Sequence, residues 1–163
     1  MKDIEFESIG KIHTPYKELK GMPIQPVGAQ GVKGEIHIKD KYSNGLKDLT
    51  GFSHLNLIYH LHKVKDYNLE VKPFLDTKTH GIFATRSPKR PNPIGLSVVK
   101  LDKVEDNIVY VSNVDILDET PIIDIKPYVP QLYQDTIEDL KIGWFETKHE
   151  NAKTKKADDR FID

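Results

Sequence analysis

The chain has 163 residues, enough for one folding unit with a real apolar core. Its 24 Lys+Arg balance 25 Asp+Glu for a formal net charge of -1, so no global basic field advertises a nucleic-acid partner and any cationic surface must be local. The absence of cysteine excludes disulfides, thiolate metal ligands and a cysteine nucleophile.

The start, Met1-Lys2-Asp3-Ile4-Glu5-Phe6, lacks the apolar run of a signal peptide. No stretch approaches the roughly 20 apolar residues of a membrane span, so the expected localisation is cytoplasmic, with no membrane partner. Apolar residues then recur with period two in short runs rich in Val, Ile and Tyr, bounded by Gly, Pro, Asn and Asp, which predicts a mainly β protein. Strands are expected over 6–14, 34–38, 54–62, 81–84, 96–104 and 108–114, with a hairpin at Asp106-Asn107. So many short strands leave edges unless they close, so the predicted fold is a small β-barrel-like domain with long loops and few short helices. The loops 15–33, with Pro23 and Pro26, and 63–80, with Pro73, are long enough to be functional. A short helix fits 42–49, before Gly51, and a last strand fits 140–145. The domain is expected to span 1–147, and 148–163 to be a charged C-terminal tail whose stretch 148–160 frays or forms a solvated helix.

Three segments could carry chemistry. In Ala84-Thr85-Arg86-Ser87-Pro88-Lys89-Arg90-Pro91-Asn92-Pro93-Ile94-Gly95, three prolines stiffen a loop that holds three cations. Ser87, Arg90 and Asn92, each before a proline, are biased towards extended backbone and lose less entropy on binding. Arg86 and Arg90 can each present a planar donor fork to a carboxylate or phosphate; a stiff surface loop with solvated charges is the alternative. In 54–62, Leu55, Leu57, Tyr59 and Leu61 share one face while His54, Asn56, His60 and His62 share the other, a polar face that suits either a pocket wall or solvent. His60 and His62 could also hold a metal, although no further ligand set accompanies them. In the third segment, 115–128, Asp118 could accept hydrogen bonds from a ribose or an amine, and Asp124 and Lys126 could pair on one side of an extended run. No glycine-rich strand-to-helix fingerprint, P-loop or serine elbow is present.

Taken in order, Ile9-Gly10, Thr14-Pro15-Tyr16-Lys17, Gln25-Pro26, Gly34-Glu35, Phe52-Ser53-His54-Leu55, Gly81-Ile82-Phe83-Ala84-Thr85-Arg86-Ser87, Arg90-Pro91-Asn92-Pro93-Ile94-Gly95 and Asp124-Ile125-Lys126-Pro127-Tyr128 resemble the TsaA-like (YaeB-type, TrmO) family. The resemblance implies a β-barrel tRNA methyltransferase that uses S-adenosyl-L-methionine to methylate N6 of threonylcarbamoyl-adenosine beside the anticodon. It also implies a homodimer with the cofactor near the subunit interface. Carried over block by block, it assigns cofactor contacts to Gln25, Pro26, Val27, His62, Lys63, Arg90, Asp118, Glu119, Thr120 and Pro121, with Leu101 lining the adenine pocket. Arg86, Lys89, Asn92 and Lys126 are expected to meet the RNA substrate, no metal is expected, and no catalytic base is assigned. Glu119 replaces the glycine usual in the family, so the turn after Asp118 must adopt a backbone that a side chain tolerates or carry strain. Bacterial members often continue into a C-terminal domain, whose RNA contacts would be missing from a chain that ends at Asp163. The rivals are a family member methylating another RNA or a small substrate, a non-enzymatic dimeric binding module, and a metal-dependent enzyme using His60 and His62.

Overall fold

In a computed structural model, residues 3–133 and 137–162 are described. Six strands close into an antiparallel barrel: β1 (Gly10–His13), β2 (Lys33–Ile38), β3 (His54–His60), β6 (Ile94–Glu105), β7 (Ile108–Ser112) and β8 (Thr120–Pro127). Around the barrel the order is β1-β2-β7-β6-β3-β8, and β8 returns to pair with β1. A separate two-stranded ribbon joins β4 (Glu70–Val71) to β5 (His80–Gly81). Period-two patterning turns one face of every barrel strand inward, where Ile12, Ile36, Leu55, Leu57, Val99, Val109, Val111 and Ile122 are fully buried. The twelve-residue β6 serves two neighbours, pairing with β3 through Ile94–Lys100 and with β7 from Lys100 to Glu105. A register shift between Leu101 and Lys103 bends it at the corner, and a second shift between Ile58 and Tyr59 bends β3 where it meets β8.

The expected hairpin is present, with Glu105 opposite Ile108 and Asp106 in the left-handed region at φ 50°. Four expectations need correction. The segment 81–84 is not a strand: after β5, Thr85 turns its N–H and hydroxyl back onto the Ile82 carbonyl (3.1 and 2.9 Å), curling Ile82–Ala84 into a 3-10 turn. The run 140–145 is broken by Gly143 at φ 56°, and Gly143–Phe145 is another 3-10 turn. The stretch 148–160 forms no continuous helix: it folds through a 3-10 turn at His149–Lys153, where Ala152 is buried, and leads into another at Asp159–Phe161, while most of its residues are exposed. Finally β8, absent from the expected strands, closes the barrel. The expected short helix at 42–49 takes the form of 3-10 turns at Asp40–Leu46 and Leu49–Gly51.

The two long loops and the C-terminal segment pack together beside the barrel. Gly21 N–H donates to the Ala157 carbonyl (2.9 Å), and Ala157 N–H donates to that of Met22 (2.8 Å). Arg160 donates to the Pro73 carbonyl (2.8 Å) and lies over the Phe74 ring, which meets Phe161 edge-on at 4.9 Å. Asp76, almost wholly buried, accepts from Lys148 Nζ (2.7 Å), the Thr77 N–H (2.6 Å) and His80 Nε2 (2.9 Å). Those donors hold its carboxyl well below the usual carboxylate range, Lys148 first and His80 next.

Candidate functional site

A cavity of about 670 Å³, the size of a small-molecule site, opens where these loops meet one end of the barrel. One wall is apolar, with Met22, Phe74, Trp144 and Phe161 among its residues. Trp144 is held by its indole N–H on the Ala84 carbonyl (2.8 Å) and by stacking on His80 (ring centroids 4.6 Å, 17° apart). The proline-stiffened loop contributes a further part of the lining. There Arg90 Nη1 donates to the carbonyls of Thr85 (3.2 Å) and Ser87 (3.3 Å), which fixes the loop, and among the described residues Nε and Nη2 of the guanidinium have no hydrogen-bond acceptor. Ser87 Oγ is fully buried with no hydrogen-bond partner among the described residues, a rare condition for a polar group.

Of the assigned cofactor contacts, Gln25, His62, Lys63, Arg90 and Thr120 line this cavity together, as do Arg86 and Asn92 from the substrate set. His62 Nδ1 lies 3.3 Å from the Thr120 hydroxyl, and burial, followed by the charges of Lys63 and His60, lowers its pKa and favours the neutral ring. Arg86 donates to the Leu96 carbonyl at 2.7 Å. The remaining residues lie off the lining. Leu101 is in the barrel core, and Pro26 and Val27 begin a 3-10 turn, with Val27 exposed. Pro121 pairs in register with Lys11. Lys89 borders a smaller hollow with Glu70 and Lys72 and pairs with Asp66 at 3.2 Å, while Lys126 pairs with Asp124 at 2.7 Å on β8.

Asp118 accepts from the Thr14 N–H (2.9 Å) and Lys17 Nζ (2.5 Å); although partial burial opposes ionisation, these donors leave its pKa lowered. Glu119 sits in the left-handed region at φ 62°, a backbone that favours glycine, and its carboxylate pairs with Lys11 and with His13 Nδ1 (2.9 Å). His13, Asp118 and Glu119 form the one group of three metal-capable side chains among the described residues, and both carboxylates there are already paired with lysines. His60 and His62 belong to no such group among those residues.

The polar side of β3 faces outward rather than into the cavity; the strand contributes Tyr59 from its inward face, followed by Leu61, His62 and Lys63. Tyr59 OH lies 2.9 Å from Ser97 Oγ, which donates to Asp115 Oδ1 at 2.7 Å. Tyr59 and Asp115 both line the cavity. This chain of hydroxyls and carboxylate was not singled out in the sequence, where the one available signal was a serine inside the apolar alternation of 94–101 and an aspartate between Val114 and Ile116.

A closed antiparallel barrel with a mainly apolar cavity that also holds Lys63, Arg86 and Arg90 defines a β-barrel protein distinct from the doubly wound nucleotide folds. The family described as tRNA-methyltransferase O N-terminal domain matches residues 11–134, and the chain belongs to it. It is 46% identical over 157 residues to a probable S-adenosyl-L-methionine-binding protein of Pyrococcus abyssi, covering 96% of this chain and 84% of that one. It is 37% identical over 140 residues to the tRNA (adenine(37)-N6)-methyltransferase of Escherichia coli, covering 80% of this chain and 60% of that one. The crystal structure of TrmO from Pseudomonas aeruginosa superposes with a TM-score of 0.71 at 32% identity, over 88% of this chain and 63% of that one. The chain thus spans most of the Pyrococcus protein and somewhat less than two thirds of these two bacterial proteins.

Proposed function

We propose that the protein is an S-adenosyl-L-methionine-dependent methyltransferase that methylates N6 of threonylcarbamoyl-adenosine next to the anticodon of tRNA. The observation that carries the reading is the Arg90 guanidinium, held on the Thr85 and Ser87 carbonyls, in a cavity that is also lined by apolar and aromatic side chains. The cofactor fits this chemistry. It offers a carboxylate to Arg90, polar groups to Ser87, Gln25 and Thr120, and an adenine to the apolar wall; when bound it supplies an activated methyl group. On this reading the methyl passes in line from donor to acceptor, and their alignment supplies much of the rate.

The protein works as a homodimer in the cytoplasm on this reading. Among the described residues no helix is long and apolar enough to cross a membrane. The exposed Phe83, Ile94 and Leu96 offer an apolar surface beside the cationic loop for a second copy. With the cofactor near such an interface, Pro26, Val27, Asp118, Glu119 and Pro121, which lie off the cavity of their own chain, are available to a neighbouring one.

Labelled S-adenosyl-L-methionine, incubated with tRNA that carries the threonylcarbamoyl group and with unmodified tRNA, tests the assignment. Label is expected on the modified tRNA alone, and Arg90→Ala is expected to weaken cofactor binding at least about tenfold by calorimetry, the loss of one charge-assisted contact. Cofactor binding without methyl transfer to either RNA would remove tRNA from the reading.

A further inference from the structure

We infer that Asp115 is the proton acceptor of the methyl transfer, its carboxylate aimed at the cavity by Ser97 and Tyr59. The inference rests on the function proposed above.

The geometry has a direction. A carboxylate only accepts, so the single Ser97 hydroxyl proton goes to Asp115 Oδ1 (2.7 Å), and Tyr59 must therefore donate to Ser97 (2.9 Å). Burial pushes the Tyr59 pKa up and keeps its proton in place for that role. The buried residues Val114, Ile116 and Leu117 hold the Asp115 backbone on either side. Asp115 Oδ1 takes the Ser97 hydroxyl proton, the Asp115 backbone N–H also favours the ionised form, and the side chain lines the cavity, where the rest of the carboxylate's acceptor capacity can meet a substrate N–H. The titratable groups that face Asp115 are Tyr59 on β3, Tyr16 on the first long loop and Arg86 on the cationic loop. His62, Lys63, Arg90 and Asp158 line the same cavity.

The proposed substrate needs such a group. Its nitrogen shares its lone pair with a purine ring and with a carbonyl, so it becomes nucleophilic only as its proton departs. In the step, the nitrogen–methyl bond forms while the methyl–sulfur bond breaks, and that bonding pair stays on sulfur and cancels the sulfonium charge. The N–H proton passes to the Asp115 carboxylate. A sulfonium and a carboxylate become a thioether and a carboxylic acid, so no net charge is left in a partly desolvated site. Burial lifts the Asp115 carboxyl to about 6 against the opposing Ser97 bond, a value suited to a base that must be ionised near neutral pH.

The test uses the full chain, as wild type, Asp115→Asn and Ser97→Ala. Single-turnover methyl transfer to the modified tRNA is followed from about pH 5 to about pH 8.5. Cofactor affinity is measured by calorimetry, and the Asp115 carboxyl is titrated by carbon NMR without donor or RNA. The wild-type rate is expected to fall on the acid side with a midpoint matching the NMR titration near 6. Asp115→Asn, which keeps an acceptor for Ser97, is expected to lower the plateau ~10²–10⁴-fold and to abolish the acid limb, with cofactor affinity within about twofold. Ser97→Ala removes a hydrogen bond that favours the carboxylate, so kinetic midpoint and NMR titration are both expected to move to higher pH, which a purely structural role would not produce. An active wild type together with an Asp115→Asn variant within about threefold of it overturns this assignment alone. So does a kinetic midpoint that stays put in Ser97→Ala. A wild type that binds the donor and methylates no RNA overturns the functional reading and this inference with it.

Discussion

Gly95 on β6 lies directly opposite Tyr59 on β3, and the absence of a side chain there is what lets the tyrosine ring enter the wall of the cavity. A methyl group in that position would come within 2.2, 2.4 and 2.8 Å of three ring carbons, where carbon atoms ordinarily rest about 3.5–4.0 Å apart. The ring is buried and its hydroxyl is fixed on Ser97, so it must move by more than about 1 Å and give up that hydrogen bond. Overpacking of this kind costs about 1–3 kcal/mol and the lost hydrogen bond about 0.5–1.5 kcal/mol, so Gly95→Ala is expected to destabilise by about 2–4 kcal/mol. For a chain of this size that lowers the melting temperature by about 4–16 °C. Urea titration with an unchanged slope, alongside thermal melts, measures it. Because the clash is with one ring, Tyr59→Leu should cost less in the Gly95→Ala background than in wild type. A Gly95→Ala protein that melts within about 2 °C of wild type, or strictly additive effects in the double variant, would refute the reasoning.

Asp76→Asn is expected to release the C-terminal segment, because it removes the charge that gathers Lys148 and His80; trypsin should then cleave at Lys148 and Lys153 faster while the barrel stays resistant. As the Asp76 pKa is depressed, the clasp is fully formed above the ordinary carboxylate range and is lost only as pH falls through the lowered value, so wild type should resist trypsin-like nicking by an acid-active protease at pH 4. Glu119→Gly exchanges a left-handed side-chain residue for one that tolerates φ 62°, and also deletes the pairs with Lys11 and His13. The two effects oppose, so the melting temperature should change by less than about 3 °C at low salt and become relatively more favourable to the variant at high salt, where the wild-type pairs are screened.

Much of the barrel was legible because its inward faces are written as plain alternation. Leu55, Leu57 and Tyr59 and the hairpin at Asp106-Asn107 are the clearest cases. β8 escaped because Pro121 and Pro127 bracket it and Asp124 and Lys126 interrupt its apolar run, the marks of a loop in a single sequence. In the barrel Pro121 sits near the start of the strand, Pro127 at its end, and the two charges pair with each other, so none of them prevents pairing with β1 and β3. The prolines and cations of the stiff loop marked it as either a binding element or a solvated surface loop, and Arg86, Arg90 and Asn92 do line the cavity. The apolar wall could not. Met22, Phe74, Trp144 and Phe161 are far apart in the chain, and only tertiary packing brings their segments to one place. Asp115 was obscured by Asp118, three residues on, whose carboxylate is engaged by Lys17 and the Thr14 N–H on the flank of the fold.

The closing role of β8 also governs how the chain must fold. β6 and β7 can zip locally through their two-residue turn, but Gly10 finds its second neighbour only in Ile122, and Leu55 in Pro127. These long-range pairings place the molecule among slow-folding topologies. During synthesis β1 and β3 wait with open hydrogen-bonding edges until 120–127 has emerged from the ribosome, which is when intermolecular strand pairing is the chief hazard. The two prolines and the charges of this strand suit it to that interval, since they make it a poor partner for any strand other than the two that await it.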